Sequence, residues 1–236
     1  MTSMPYGYIH QKRDLRIRIM KLVNLLKQTP QLKRDSKKRA NKKNHDIISK
    51  AKEFGRLYFD GSRDYGYGGY IYDGRWIPVA KEIINHFNLS SGNKILDVGC
   101  AKAFLVSDLI NICPGLNVYG LDISEYALNL SPNNTKDKLI RGSCEELPFR
   151  DNEFDAVISI NTIHNCTREG VIKSLKEITR VSKGKAFVQV DAYHNEEQKK
   201  EFLDWVLTAK FHGYPNDWFK VFEESNYVGD YFWTLV

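Results

Sequence analysis

Between residues 94 and 209, short apolar runs alternate with segments of helical period, and this alternation restricts the fold more than any other feature. Residues 94–98, 117–121, 138–140, 156–160 and 186–190 read as buried strands, and residues 103–112, 125–130, 169–181 and 196–209 read as helices. In 169–181 the apolar positions Val171, Ile172, Leu175, Ile178 and Val181 share one face. Strand following helix in strict succession predicts an α/β fold with a parallel sheet covered on both faces. A further helix is expected near 218–225. A last strand near 227–235 is expected to pair antiparallel at the end of the sheet.

Upstream, Leu15, Ile19, Leu22, Val23 and Leu26 recur at spacings of three and four, which predicts a helix over 15–28 that Pro30 ends. A basic run over 33–43 merges into a second helical face carrying Ile47, Ile48, Ala51 and Phe54. Residues 55–76 interleave glycine with tyrosine and read as an ordered loop. Residues 77–87 return to helical period, with Val79, Ile83, Ile84 and Phe87 inward. The expected organisation is therefore a basic helical extension (1–54), a tyrosine- and glycine-rich lid (55–76) and an α/β domain (77–236).

Charge is spread in the same way. Of the net +6, residues 1–52 hold +12 and the remainder −6. Lys33, Arg34, Lys37, Lys38, Arg39, Lys42 and Lys43 could neutralise phosphates, but no aromatic residue interrupts the run to stack on bases. A solvated helix face is the preferred reading, and nucleic acid is not an expected partner. The same segment could cover the site or pair two subunits, so a homodimer through the N-terminal helices is expected. No apolar run approaches the roughly 20 residues that span a bilayer, and no secretory signal pattern is present. These features predict a cytoplasmic protein without membrane partners. Cys100, Cys113, Cys144 and Cys166 form no Cys-x-x-Cys pair, so free thiols are expected and no residue is assigned to a metal.

Three elements carry chemistry. In the first, the strand ending at Asp97 runs into Val98-Gly99-Cys100-Ala101-Lys102-Ala103, a turn of mostly small residues that opens a helix. Such a turn lets backbone approach a ligand and offers helix N–H groups. The second strand ends in Asp122, where a dinucleotide-type fold places a carboxylate for both ribose hydroxyls. Ser124 can cap the next helix and leave Asp122 free. The third is the polar loop Arg141-Gly142-Ser143-Cys144-Glu145-Glu146, followed by the strand leading to Asn161.

In that order the three elements resemble the class I S-adenosylmethionine (SAM) dependent methyltransferases over about residues 76–236. The segment 65–76 and the tail 188–210 resemble a bacterial subset of that family. The resemblance implies a Rossmann-like, doubly wound, seven-stranded and mostly parallel sheet. It also implies SAM as cofactor and a small-molecule acceptor such as a sugar, nucleotide sugar or amino-acid-derived metabolite. By position, Asp97, Gly99, Cys100 and Ala101 match the loop against the methionine half of SAM. Asp122 matches the ribose acid and Ile123 the apolar contact to adenine. Ser143 and Cys144 match the adenine edge, and Asn161 the end of the fourth strand. Ala101 and Ala103 stand where the family favours glycine, and Ser143 where it favours a carboxylate.

For the transfer itself, His164 is the first candidate base, with Asn165 beside it and Asp191 at the end of the fifth strand as further catalytic candidates. Tyr70 and Tyr72 are read as a lid whose rings face the sulfonium, and Arg75 as a partner for the methionine carboxylate. Two alternatives remain open in the sequence. One is an intramolecular displacement that releases methylthioadenosine. The other is a non-catalytic SAM-binding module. A nicotinamide dehydrogenase is disfavoured, because Gly-Cys-Ala-Lys-Ala puts side chains where a pyrophosphate would lie.

Overall fold

The computed structural model describes residues 20–30 and 35–234. Six strands run in sequence order: β1 (Lys94–Val98), β2 (Asn117–Asp122), β3 (Leu139–Arg141), β4 (Ala156–Ile160), β5 (Ala186–Asp191) and β6 (Asp230–Thr234). They form one sheet in the order β3-β2-β1-β4-β5-β6, and every pairing is parallel. The expected seventh strand has no counterpart among the described residues. Helices α4 (Trp76–Phe87) and α5 (Phe104–Ile112) cover one face, and α7 (Arg168–Val181) and α9 (Pro215–Ser225) the other.

The pleat explains the two cores. Ile95 joins Val118, Ile158 and Phe187 beneath Val79, Ile83 and Leu109. Leu96 and Val98 point oppositely, towards Val171, Leu175, Ile178 and Phe222. Each such side chain stabilises the fold by about 1.5–3 kcal/mol through burial. Asp97 alternates with Leu96 and so shares a face with Ile95, at the strand end where α5 begins. β1 lies between β2 and β4, so the sheet reverses its winding there and the strand tips open a crevice.

Two expectations fail at the far edge. β6 is parallel to β5, with Phe187 opposite Asp230 and Asp191 opposite Thr234. The reason is the long connection through α8 (Glu196–Trp205) and α9. α9 packs against α7 and returns the chain to the lower edge of the sheet, where Tyr227 donates to the Asp230 carbonyl. The expected helix over 15–28 is absent in its described part, while Leu15 and Ile19 lie outside the described residues. Val23 N–H instead donates to the Tyr231 carbonyl at 2.9 Å, and Tyr231 N–H to the Lys21 carbonyl at 3.0 Å. An unpaired strand edge offers a row of backbone partners, and these residues take them. Leu22, expected inward, is 57% exposed, while Leu25 is buried.

The remaining N-terminal chain forms three short helices: α1 (Ser36–Lys42), α2 (His45–Lys52) and α3 (Arg56–Asp60). Asp35 caps α1 through Lys38 N–H at 2.9 Å, and Asn44 caps α2 through Ile47 N–H at 2.9 Å. α3 lies inside the segment read as loop. Part of the basic run is used internally. Arg39 is buried with its guanidinium 3.8 Å from the Trp205 ring centre, Lys42 pairs with Asp64, and Lys43 donates to the Leu203 carbonyl. Lys33 and Arg34 lie outside the described residues. Among the described residues no helix is long and apolar enough to cross a membrane.

Candidate active site

The turn after β1 carries three left-handed residues: Gly99 at φ 88°, Ala101 at 51° and Ala103 at 56°. Glycine at 99 is required twice over. Its backbone is left-handed, and a Cβ would lie 2.0 Å from Thr162 Oγ1. The two alanines carry a methyl group in this region, at a cost of about 1–2 kcal/mol each. Ala103 opens α5 and has no side-chain atom to satisfy the first helix N–H groups. Cys100, matched to the cofactor loop, instead faces inward. It is buried against Gly120, where an added Cβ would meet its sulfur at 2.8 Å, and burial pushes its thiol well up.

Two acids flank this turn. Asp122 accepts from Ala101 N–H at 2.7 Å and from Ser124 N–H at 2.8 Å, one bond to each oxygen. A carboxylate has about four lone-pair positions, so the group keeps bonding capacity towards the crevice. Burial raises its affinity for protons, and the N–H groups of Ser124, Ala101 and Ile123 work against that rise. Ser124, rather than Asp122, caps α6 (Glu125–Asn129), accepting from Ala127 N–H at 3.1 Å and donating to the Phe54 carbonyl at 2.6 Å. Asp97 is buried and accepts no hydrogen bond from the described residues. Burial first, and the neighbouring Asp122 second, push its carboxyl up to about 7. Ile123 is 58% exposed beside these acids, as an apolar wall of a crevice would be.

The loop after β3 is more closed. Ser143 Oγ accepts from Glu145 N–H at 3.1 Å. Cys144 turns away from the crevice, with its sulfur 3.5 Å from that of Cys166 and 3.3 Å from the Ser174 hydroxyl that donates to it. Asn161 is left-handed at φ 54°, and its side-chain oxygen accepts from Thr234 at 2.5 Å, so its amide is directed to β6. Neither Cys144 nor Asn161 presents its side chain as the family match expects, because each has found a partner in the neighbouring layer.

At the tips of β4 and β5 the catalytic candidates meet. His164 lies in a 3-10 turn (Ile163–Asn165), and only 5% of it is exposed. Its Nδ1 accepts from Asp191 N–H at 3.1 Å and lies 3.3 Å from Asp191 Oδ2. Its carbonyl accepts from Lys210 and Phe211 N–H at 2.9 and 3.0 Å. Asn165 donates to the Thr162 carbonyl at 3.0 Å, and its buried side-chain oxygen has no partner among the described residues.

The tyrosine-rich segment covers the turn rather than the sheet edge. Tyr70 stacks on Phe104 at 5.2 Å and Tyr72 meets the same ring edge-on at 5.5 Å. Their hydroxyls are engaged: Tyr70 accepts from Trp76 Nε1 at 3.1 Å, and Tyr72 donates to Asp108 at 2.7 Å. Arg75 does not reach out for a ligand carboxylate; its guanidinium grips Asp73, two residues away. Tyr67, one of the tyrosines of the expected lid, is 40% exposed and packs against Phe59 and Tyr58. Both Asp122 and Asp191 lie within electrostatic reach of it, and Tyr58 links it by hydrogen bonds to Thr208. A separate hollow of about 420 Å³ between α6 and β3, lined by Glu125, Leu128, Ser131 and Arg141, contains none of these acids.

The profile of the methyltransferase domain family matches residues 96–190, which contain both acids, the turn and His164. An uncharacterized methyltransferase of Bacillus subtilis, YdaC, is 31% identical over 144 residues, covering 57% of this chain and 77% of that protein. The chain belongs to the class I SAM-dependent methyltransferases. Demethylmenaquinone methyltransferase of Geobacillus stearothermophilus is 36% identical over 116 residues, covering 46% of this chain and 49% of that protein. Apart from YdaC, the chain spans about half the length, or less, of the curated relatives it matches. The YcgJ protein of Bacillus subtilis has the same fold, with a TM-score of 0.52 at 16% identity, over 62% of this chain and 66% of that one. SAM is therefore the cofactor of this methyltransferase. The spare bonding capacity of Asp122 and the bare Asp97 carboxylate fit its ribose diol and its ammonium group.

Proposed function

We propose that this methyltransferase methylates a hydroxyl group on a planar small-molecule acceptor, with His164 taking the proton. The observation that carries the reading is the contact of His164 with Asp191 at the tips of β4 and β5, beside Tyr58 and Tyr67 of the lid. SAM supplies a methyl group on a sulfonium, an electrophile that needs only an aligned nucleophile. Asp122 would hold the ribose diol, Asp97 would face the ammonium, and Ile123 would lie against the adenine. The acceptor oxygen would lose its proton to His164 Nε2, which is free to take it in the tautomer whose Nδ1–H turns to Asp191 Oδ2, as a new O–C bond replaces the sulfonium S–C bond. Asp191 stabilises the ring cation that results. Asn165 lies one residue further along, with its side-chain oxygen buried and unpartnered among the described residues.

Aromatic walls favour a flat acceptor. Tyr58 and Tyr67 meet edge-to-face at 5.2 Å, and Tyr67 stacks on Phe59 at 5.8 Å, so the lid presents ring surface. Relatives named for demethylmenaquinone methylation support a phenol- or quinol-like acceptor over a sugar. The deciding experiment incubates the protein and SAM with matched panels of phenols, quinols and free sugars, and records products by mass spectrometry. The expected result is a methyl mass gain on a phenol or quinol together with S-adenosylhomocysteine. Methyl gain confined to sugars would overturn the acceptor reading. Methylthioadenosine without any methylated product would overturn methyl transfer in favour of intramolecular displacement.

A further inference from the structure

Lys102 sits between the two left-handed alanines of the cofactor turn and is buried although it carries a charge. An unpaired buried ammonium would be costly. Its partner comes from outside the α/β domain. Lys102 Nζ lies 2.7 Å from each oxygen of Asp60, the last residue of α3. The same carboxylate accepts from the Tyr126 hydroxyl at 2.7 Å and from Tyr70 N–H at 3.2 Å. Asp60 thus joins four segments with one group: α3, the tyrosine-rich lid, the cofactor turn and α6, which follows the ribose acid. Phe59, one residue earlier, is buried and stacks on Tyr67 and Tyr126, so the carboxylate is held on a packed base.

The turn needs such a hold. Two alanines occupy backbone regions that glycine would occupy without strain, so the free turn has an incentive to relax into another shape. Ala101 N–H, one residue before Lys102, orients Asp122. Relaxation at Lys102 would therefore carry away the donor that aims the ribose acid. We propose that Asp60 is a positioning residue for the cofactor turn. It acts through Lys102 and makes the segment before the α/β domain a working part of the SAM site. The inference rests on the SAM reading of this turn.

The test is calorimetric titration of the full-length chain with SAM and, separately, with S-adenosylhomocysteine. Asp60→Asn should weaken both by about 10- to 100-fold, the loss that accompanies removal of one member of a shielded charge pair. Asp60→Glu, which keeps the charge, should recover part of that loss. Because Asp60 acts through Lys102, the double variant Asp60→Asn/Lys102→Met should bind no more weakly than Lys102→Met alone. A purely structural role would give additive losses and no recovery with glutamate. Wild-type affinity in folded Asp60→Asn, or additive losses, overturns the proposal. Failure of the unaltered chain to bind SAM would instead remove the cofactor reading on which it rests. If Asp60→Asn does not fold, Lys102→Met carries the test, and wild-type affinity for SAM in folded Lys102→Met overturns the proposal.

Discussion

The two halves of the crevice are built differently. In the cofactor half, Asp122 takes its bonds from Ala101 and Ser124, backbone groups of its own turn and of the adjacent strand's turn. Asp97 and Asp122 keep bonding capacity in reserve. Around the tips of β4 and β5 several polar groups are tied to partners distant in the chain, His164 to Asp191, Asn161 to Thr234 and Tyr58 to Thr208, while Asn165 bonds within its own turn. The first half is assembled from backbone groups of two strand-end turns, steadied by Asp60 on Lys102. The second is assembled by the packing of loops, helices and the last strand.

Substitutions should respect this division. The largest effect is expected at His164. His164→Gln should lower kcat by about 10²- to 10⁴-fold, the usual contribution of a positioned base, while SAM affinity stays within a factor of about three. A matching rise in the dissociation constant for SAM would break the division, since it would place His164 in the cofactor half. Asp122→Ala should do the reverse. It should weaken SAM binding by about 100-fold, measured by titration, because the proposed ribose contact loses a buried carboxylate.

Asp97 tests the same half through stability. Its carboxyl is raised to about 7 from an ordinary 3.8, so the folded apoprotein binds this proton more tightly than the unfolded chain. The group's contribution is therefore favourable at low pH and is lost as pH climbs from about 4 to about 7. The total is at most about 4 kcal/mol, from about 1.4 kcal/mol per pH unit of difference. Asp97→Asn should flatten that part of the apoprotein's stability–pH curve in denaturant titrations and raise stability at pH 8. It should also weaken SAM. A slope unchanged by the substitution would show that Asp97 does not hold the proton. The smallest effect is expected at Ala101. Ala101→Gly should stabilise the apoprotein by about 1 kcal/mol in thermal melts by relieving the left-handed backbone. A destabilised variant would show that the methyl group's contacts outweigh its strain.

Much of the scaffold was legible from periodicity. The first five strands lie within about one residue of the expected ranges, because a buried strand and the amphipathic face of α7 leave strong patterns. The acids at the tips of β1 and β2 were legible too, since a strand end followed by a small-residue turn has few other uses. What failed was non-local. The spacing of Leu22, Val23 and Leu26 suits a helix, but the open edge of β6 supplied a better partner. Tyr70, Tyr72 and Arg75 look available in the sequence, and all three are spent on Trp76, Asp108 and Asp73. Asp60 carries no signal at all, because nothing local distinguishes it from neighbouring acids.

By itself the sequence determined the alternating α/β plan, the glycine at the first turn and the two carboxylates beside it. Those follow from pleat, period and backbone strain, which act within a few residues. Only the tertiary structure decided the parallel course of β6, the inward turn of Cys100 and Cys144, the meeting of His164 with Asp191, and the clamp of Asp60 on Lys102. Each of these depends on which groups compete for a partner once the layers have packed, and that competition is settled across distances the local pattern does not encode.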